Sequence, residues 1–345
     1  MEYNLLPGTQ IKVSKICLGT MTWGRQNSEQ EGHDQMDFAF EQGVNFFDTA
    51  ELYPIPPRKE EQGDTELFIG TWFQKSGLRD KIILASKIVG PAAFSKHIRI
   101  DKSYSKKTID AAIENSLKRL NTDYIDLYQL HWPERPTNYF GKRGYNFERG
   151  DRWEENFEEV LDALNIHVKK GNIRYIGLSN ETPWGTMGFL RASNSERPRV
   201  RTIQNPYSLL NRTFELGNAE VSHRENVGLL AYSPLAFGVL SGKYREGKKP
   251  DKARLTLFPQ YDRYSSEPCK NAVELYHDLA EKNGLTLTQL SLAFVNDRPF
   301  MVSNIIGATD LTQLKENIDT SQIRLSDEIL EKINSIHESI PNPST

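Results

Sequence analysis

Three carefully placed polar residues each close an apolar run: Asp48 ends VNFFD, Lys87 ends IILASK and His131 ends IDLYQLH. A phenol, Tyr53, follows Asp48 by five positions in the stretch NFFDTAELYP. Singly, each is ordinary. A strand-ending Asp forms turns or caps helices, a strand-ending Lys reaches solvent, and a lone His is most often a hydrogen-bonded structural group. Gathered at one rim, however, Lys, His, Asp and Tyr form a set able to protonate a bound oxygen. Ser179 ends a further apolar run, IRYIGLS, and Asn180 follows it at the same rim.

Such a set needs elements that bring the run ends together. Eight short apolar runs read as strands: 15–19, 44–48, 82–87, 125–131, 173–179, 202–206, 228–233 and 303–307. Helical periodicity follows each of them, over 28–42, 64–76, 106–120, 154–170, 183–194, 213–225, 270–283 and 311–319. Strands that alternate with helices predict a parallel sheet buried on both faces, and eight such units close into a (β/α)8 barrel, an α/β TIM barrel. The competing open doubly wound sheet lacks its marker, since no strand is followed by GxGxxG, and GVLSGKY at 238–244 does not fit a P-loop. Three segments exceed the minimal repeat. An N-terminal hairpin surrounds the Pro-Gly turn of YNLLPGTQIKVS, and long loops follow strands four (132–152) and seven (235–268), on the rim where barrel enzymes keep their sites. A last helix is expected in LSDEILEKINSIHESI, with a Ser cap and acidic first turn. A single barrel domain over 1–345 is the expected organisation.

Composition excludes several classes. The chain of 345 residues is 37% hydrophobic and 26% charged, ordinary for a globular protein. A net charge of −3 provides no basic field for nucleic acid or anionic lipid. Cys17 and Cys269 lie far apart without a CxxC pattern, so neither a disulfide framework nor a structural zinc site is indicated. No signal-type segment or long apolar run is present, and a cytoplasmic location with no membrane contact is expected. A metal-dependent barrel hydrolase would need more clustered ligands than His131 and Glu134.

In order along the chain, GVNFFDTAELYP, ILASKI, LNTDYIDLYQLHWP, IGLSNE, IQNPYS, YSPLAFGVLSGKY and IIGATDLTQLKENI resemble the aldo-keto reductases. The resemblance implies a (β/α)8 barrel that binds a nicotinamide cofactor without a Rossmann domain, and Asp48, Tyr53, Lys87 and His131 match the family's catalytic tetrad. Carbonyl reduction delivers hydride to carbon while negative charge grows on oxygen, so a proton donor is needed there. Tyr53 is the natural donor, and the Lys87 ammonium would lower the pKa of its phenol. Asp48 would keep Lys87 in place and charged, and His131 would orient the carbonyl.

The resemblance also assigns a cofactor path. Ser179, Asn180 and Gln204 would hold the nicotinamide carboxamide and Tyr207 would stack on the ring. Ser233, Pro234, Leu235, Gly238 and Lys243 would meet the pyrophosphate, and Gly307, Thr309, Gln313, Glu316 and Asn317 the adenosine end. Lys243 and Arg254 resemble cations that meet the ribose phosphate, which favours NADPH/NADP+. Asp310 departs from the family pattern, because its carboxylate would repel a phosphate if it faced inward. Trp23 and Trp132 are the expected substrate contacts, within a small-molecule carbonyl site whose aromatics suit an apolar or aromatic substrate. The runner-up reading is a catalytically slow regulatory subunit that acts through a protein partner, as potassium-channel β subunits do. A homo-oligomer is compatible with either.

Overall fold

Local chemistry sets the helix starts. The computed structural model describes residues 1–147 and 151–344; part of the expected 132–152 loop thus lies outside the described residues. Ser28, Ser105, Thr182, Ser266, Thr286 and Ser326 each accept a hydrogen bond from an amide in the first turn that follows. A cap of this kind contributes about 1 kcal/mol. The helices they open are α1 (Glu29–Glu41), α3 (Lys106–Leu120), α5 (Pro183–Ala192), α8 (Glu267–Lys282), α9 (Leu287–Asn296) and α11 (Asp327–Ser339). The others are α2 (Asp64–Ser76), α4 (Phe157–Lys170), α6 (Asn218–Glu225), the single turn α7 (Arg254–Leu257) and α10 (Leu311–Asp319).

Strands β1 (Tyr3–Leu5) and β2 (Lys12–Ser14) form the expected antiparallel hairpin. Eight parallel strands close the barrel: β3 (Ile16–Gly19), β4 (Phe46–Asp48), β5 (Ile83–Ile88), β6 (Ile125–Leu130), β7 (Ile173–Ser179), β8 (Val200–Pro206), β9 (Gly228–Tyr232) and β10 (Met301–Ile306), with β10 paired back to β3. Each of the eight expected strands is present. Two helical expectations need correction. The 213–225 helix is a 3₁₀ turn at Thr213–Leu216 followed by α6, and α9 was not anticipated. Buried along nearly its whole length, α9 lacks the solvent-exposed polar face that makes helical periodicity visible.

Register and the period-2 alternation of strands then select what enters the barrel. Cys17, Phe46, Ala85, Leu127 and Leu230 pack together in one apolar cluster. Two residues further along each strand, on the same face, stand Gly19, Asp48, Lys87, Gln129 and Tyr232. The alternate residues, such as Phe47, Leu84 and Ile88, belong to the larger core shared with the helices. A polar layer therefore rests on an apolar floor, at the C-terminal rim.

Candidate active site

Lys87 is the centre of that layer. With 0% exposure, its ammonium donates to Asp48 Oδ2 at 2.6 Å, to the Thr49 carbonyl at 2.7 Å and to the Tyr53 hydroxyl oxygen at 3.4 Å. All three of its protons are used. Asp48 Oδ1 accepts from Gln129 Nε2 at 3.1 Å and Gln204 Nε2 at 2.8 Å, so both carboxylate oxygens are fixed. The Tyr53 ring meets the His131 ring edge-on at 5.8 Å between centroids. The structure thus brings Asp48, Tyr53, Lys87 and His131 together, and Tyr53 and His131 both face a cavity of about 1140 Å³.

Burial and charge compete at each group. Burial acts to discharge Lys87, but Asp48 and Tyr53 outweigh it and hold the ammonium above its ordinary pKa. Burial pushes the Tyr53 phenol up, Lys87 pulls it back, and the balance stays upward. The expected net acidification by Lys87 is therefore corrected: the cation limits the rise without reversing it. Burial, aided by Lys87, holds His131 well below the ordinary imidazole value, so the ring is neutral at pH 7. Its Nδ1 is buried without a hydrogen-bond partner.

The cavity walls include most residues expected along the cofactor path. Ser179, Asn180, Gln204, Ser233, Pro234, Leu235, Gly238, Lys243, Arg254, Gly307, Thr309, Gln313, Glu316 and Asn317 all line it. The Asn180 side chain is held by three bonds, its Nδ2 donating to the His131 carbonyl at 2.9 Å and to Ser179 Oγ at 3.1 Å and its Oδ1 accepting from the Tyr232 hydroxyl at 2.6 Å. Tyr207 is a correction. It is 0% exposed, stacks on Phe294 at 5.9 Å, and donates its hydroxyl to Glu215 away from the cavity. Tyr232, one strand over, lines the cavity in its stead. Parity could have shown this, because Tyr232 shares a face with inward Leu230 whereas Tyr207 lies three residues beyond Gln204.

After β9 the chain turns through left-handed conformations at Ser233, Ala236, Phe237 and Gly238. Gly238 also leaves room for Lys243, whose Cε would lie 3.1 Å from an added Cβ. The Arg254 guanidinium lies over the Phe237 ring at 4.0 Å, so both cations gather at one turn. Arg263, which sequence reasoning missed, lines the same cavity beside Tyr232 and Tyr264. Lys243, Arg254 and Arg263 have no salt bridge among the described residues, and a turn ringed by three cations fits the phosphates of a dinucleotide, although Asp310 lines the same cavity and its charge acts on Lys243. Further on, Asp310 caps α10, accepting from the Gln313 amide at 2.9 Å and from Gln313 Nε2 at 2.7 Å. Glu316 accepts from the Thr286 hydroxyl at 2.7 Å, and Asn317 donates to the Gly307 carbonyl at 3.2 Å.

At the opposite end Trp132 forms a fixed wall. Its indole donates to the Pro91 carbonyl at 3.1 Å and its carbonyl accepts from the Tyr104 hydroxyl at 2.6 Å. Phe94 and Phe140, from the loops after β5 and β6, each flank it at 5.5 Å. Phe94 was not anticipated, and only its place after a strand end hinted at it. Trp23 is a second correction: fully buried, it packs on Gly32 of α1 and donates to Gln35 at 3.2 Å, so it does not reach the cavity. Its neighbours Met21 and Thr22 do. Among the described residues no group of three or more His, Cys, Asp or Glu is placed to hold a metal ion, and no helix is long and apolar enough to cross a membrane.

Residues 15–338 match the family model described as "Aldo/keto reductase family". Protein tas of Escherichia coli (strain K12) is 49% identical, with 100% of both chains covered. An aldo-keto reductase of Babesia bovis is 40% identical over 74% of this chain and 96% of its own. The uncharacterized oxidoreductase YrpG of Bacillus subtilis (strain 168) is 32% identical over 97% of this chain and 96% of its own. With the closed barrel and its polar layer already described, these likenesses establish that the chain is an oxidoreductase of the aldo/keto reductase family.

Proposed function

We propose that the protein is an NADPH-dependent reductase of aldehydes or ketones, with Tyr53 as general acid. The observation that carries this reading is the chain Asp48–Lys87–Tyr53, with contacts of 2.6 and 3.4 Å, ending on a phenol at the cavity wall. A bound reduced nicotinamide would supply the hydride to the carbonyl carbon. Ser179, Asn180 and Gln204 would hold its amide and Tyr232 its ring face, while the turn at Phe237–Gly238 with Lys243, Arg254 and Arg263 would hold the phosphates. As charge grows on the substrate oxygen, Tyr53 donates its proton there. Lys87, donating to the same phenolic oxygen, stabilises the phenolate left behind. Asp48 holds the ammonium charged and in register. His131, neutral, donates a hydrogen bond that orients the carbonyl, in the tautomer that carries the proton on the nitrogen facing the cavity.

The reading is tested by following NADPH absorbance with a panel of aldehydes and ketones. Oxidation of NADPH dependent on both carbonyl and enzyme is expected, and no turnover across the panel would reject it. Cofactor preference supplies a second check. Arg254→Ala should weaken NADPH binding by about tenfold or more, the size of a lost charge-assisted bond, and NADH far less. Fluorescence titration of the two cofactors measures it; equal losses would remove Arg254 from the ribose phosphate.

A further inference from the structure

Glu51 stands between Asp48 and Tyr53, yet the chemistry above leaves it without a task. Its carboxylate is 1% exposed and pairs with Arg99 and not with Lys87. One oxygen accepts from the Val89 amide at 2.7 Å and from Arg99 Nη1 at 2.9 Å, and the other accepts from Arg99 Nη2. The backbone of the same residue is equally tied. Its amide donates to the Lys87 carbonyl at 3.2 Å and its carbonyl accepts from Gln62 Nε2 at 2.5 Å. Two residues on, the Tyr53 carbonyl accepts from the Gly63 amide at 2.9 Å.

These bonds have a common geometry. The segment 49–53 carries the phenol, and Glu51 fastens it to the end of β5, the strand that carries Lys87. Arg99 reaches in from the loop after β5, the loop that also places Phe94 on the cavity wall. The two-pronged contact fixes the carboxylate in direction as well as distance. Burial presses the Glu51 carboxyl toward its neutral form and Arg99 opposes that pressure. A carboxyl that took up a proton here would lose the fork that holds it.

We propose that Arg99 is a positioning residue for the general acid: by gripping Glu51 it holds segment 49–53 against β5 and so fixes the reach from the Lys87 ammonium to the Tyr53 hydroxyl. The proposal rests on the reductase reading. It also joins two parts of the site, since the loop that shapes the substrate wall is the one that steadies the acid.

The test compares Arg99→Met, Arg99→Lys and the unaltered protein by two independent readouts. In steady-state carbonyl reduction, Arg99→Met should lower kcat by about 10²-fold, the scale of an ångström-sized misplacement of a catalytic group. NADPH affinity, titrated by fluorescence, should stay within about twofold, because Arg99 touches none of the cofactor-facing residues. Arg99→Lys should recover part of the lost kcat, keeping the charge but not the fork. Amide hydrogen exchange, which needs no turnover, should accelerate at Val89 and residues 49–53 in Arg99→Met and not across the rest of the barrel. Unchanged kcat in Arg99→Met, or a loss matched by a general fall in folded protein, would overturn the proposal. If the unaltered protein reduced no carbonyl, the reductase reading would fall by itself. Exchange at Val89 would then decide separately, and unaltered exchange there would overturn the grip of Arg99.

Discussion

Tyr53→Phe should lower kcat for carbonyl reduction by about 10²–10⁴-fold, the range that a positioned general acid contributes. NADPH binding should stay nearly unchanged. The substitution removes one oxygen and keeps the ring that meets His131 edge-on and lies 4.9 Å from the Lys87 ammonium, so packing survives. Stopped-flow or steady-state rates, with cofactor fluorescence titrated in parallel, separate the two effects. Retention of full turnover would move the proton donor to His131 or to water. The pH profile of the unaltered enzyme gives a companion check with a defined sign. Reduction requires the phenol protonated, and burial holds its pKa above the ordinary value near 10, so kcat should fall only in strong alkali. His131 titrates well below the ordinary imidazole range and should leave no inflection near neutrality.

Lys87→Met should remove both activity and stability, for linked reasons. The ammonium is wholly buried and supplies one of the three donors that satisfy Asp48. Without it a buried carboxylate loses its counter-charge, and removing one member of such a pair costs about 3–5 kcal/mol. The phenol at the same time loses the only cation that donates to it among the described residues, so its proton is harder to release. A kcat loss of about 10²-fold or more is expected, since the phenolate formed in the reaction is then unsupported. Denaturant unfolding measures the first effect and steady-state reduction the second. A double variant, Lys87→Met with Asp48→Asn, distinguishes them: much of the stability should return, because no unpaired charge remains, while turnover should not. A stable, active Lys87→Met protein would show that the ion pair serves neither purpose.

The barrel and the rim that gathers its polar side chains follow from the amino-acid pattern alone. Strands buried on both faces are written as short apolar runs, and a charged or polar residue closing several of them marks the rim, because alternation and chain direction leave few other places for it. Asp48, Lys87 and His131 were legible on those grounds, and the family resemblance placed Tyr53 with them. Tertiary structure decided the rest. What Tyr207 meets once it faces outward, the Phe294 ring and the Glu215 carboxylate, comes from segments far apart in the chain. Trp23 lies near a strand end yet is captured by α1, a contact between segments that no local pattern encodes. The missed helix α9 is buried on nearly every side because the fold surrounds it, its polar Thr288, Ser291 and Asn296 included. The pKa of Tyr53 shows the reason most directly. Desolvation raises it and the Lys87 charge lowers it, both effects grow with depth, and only packing in three dimensions sets which one prevails.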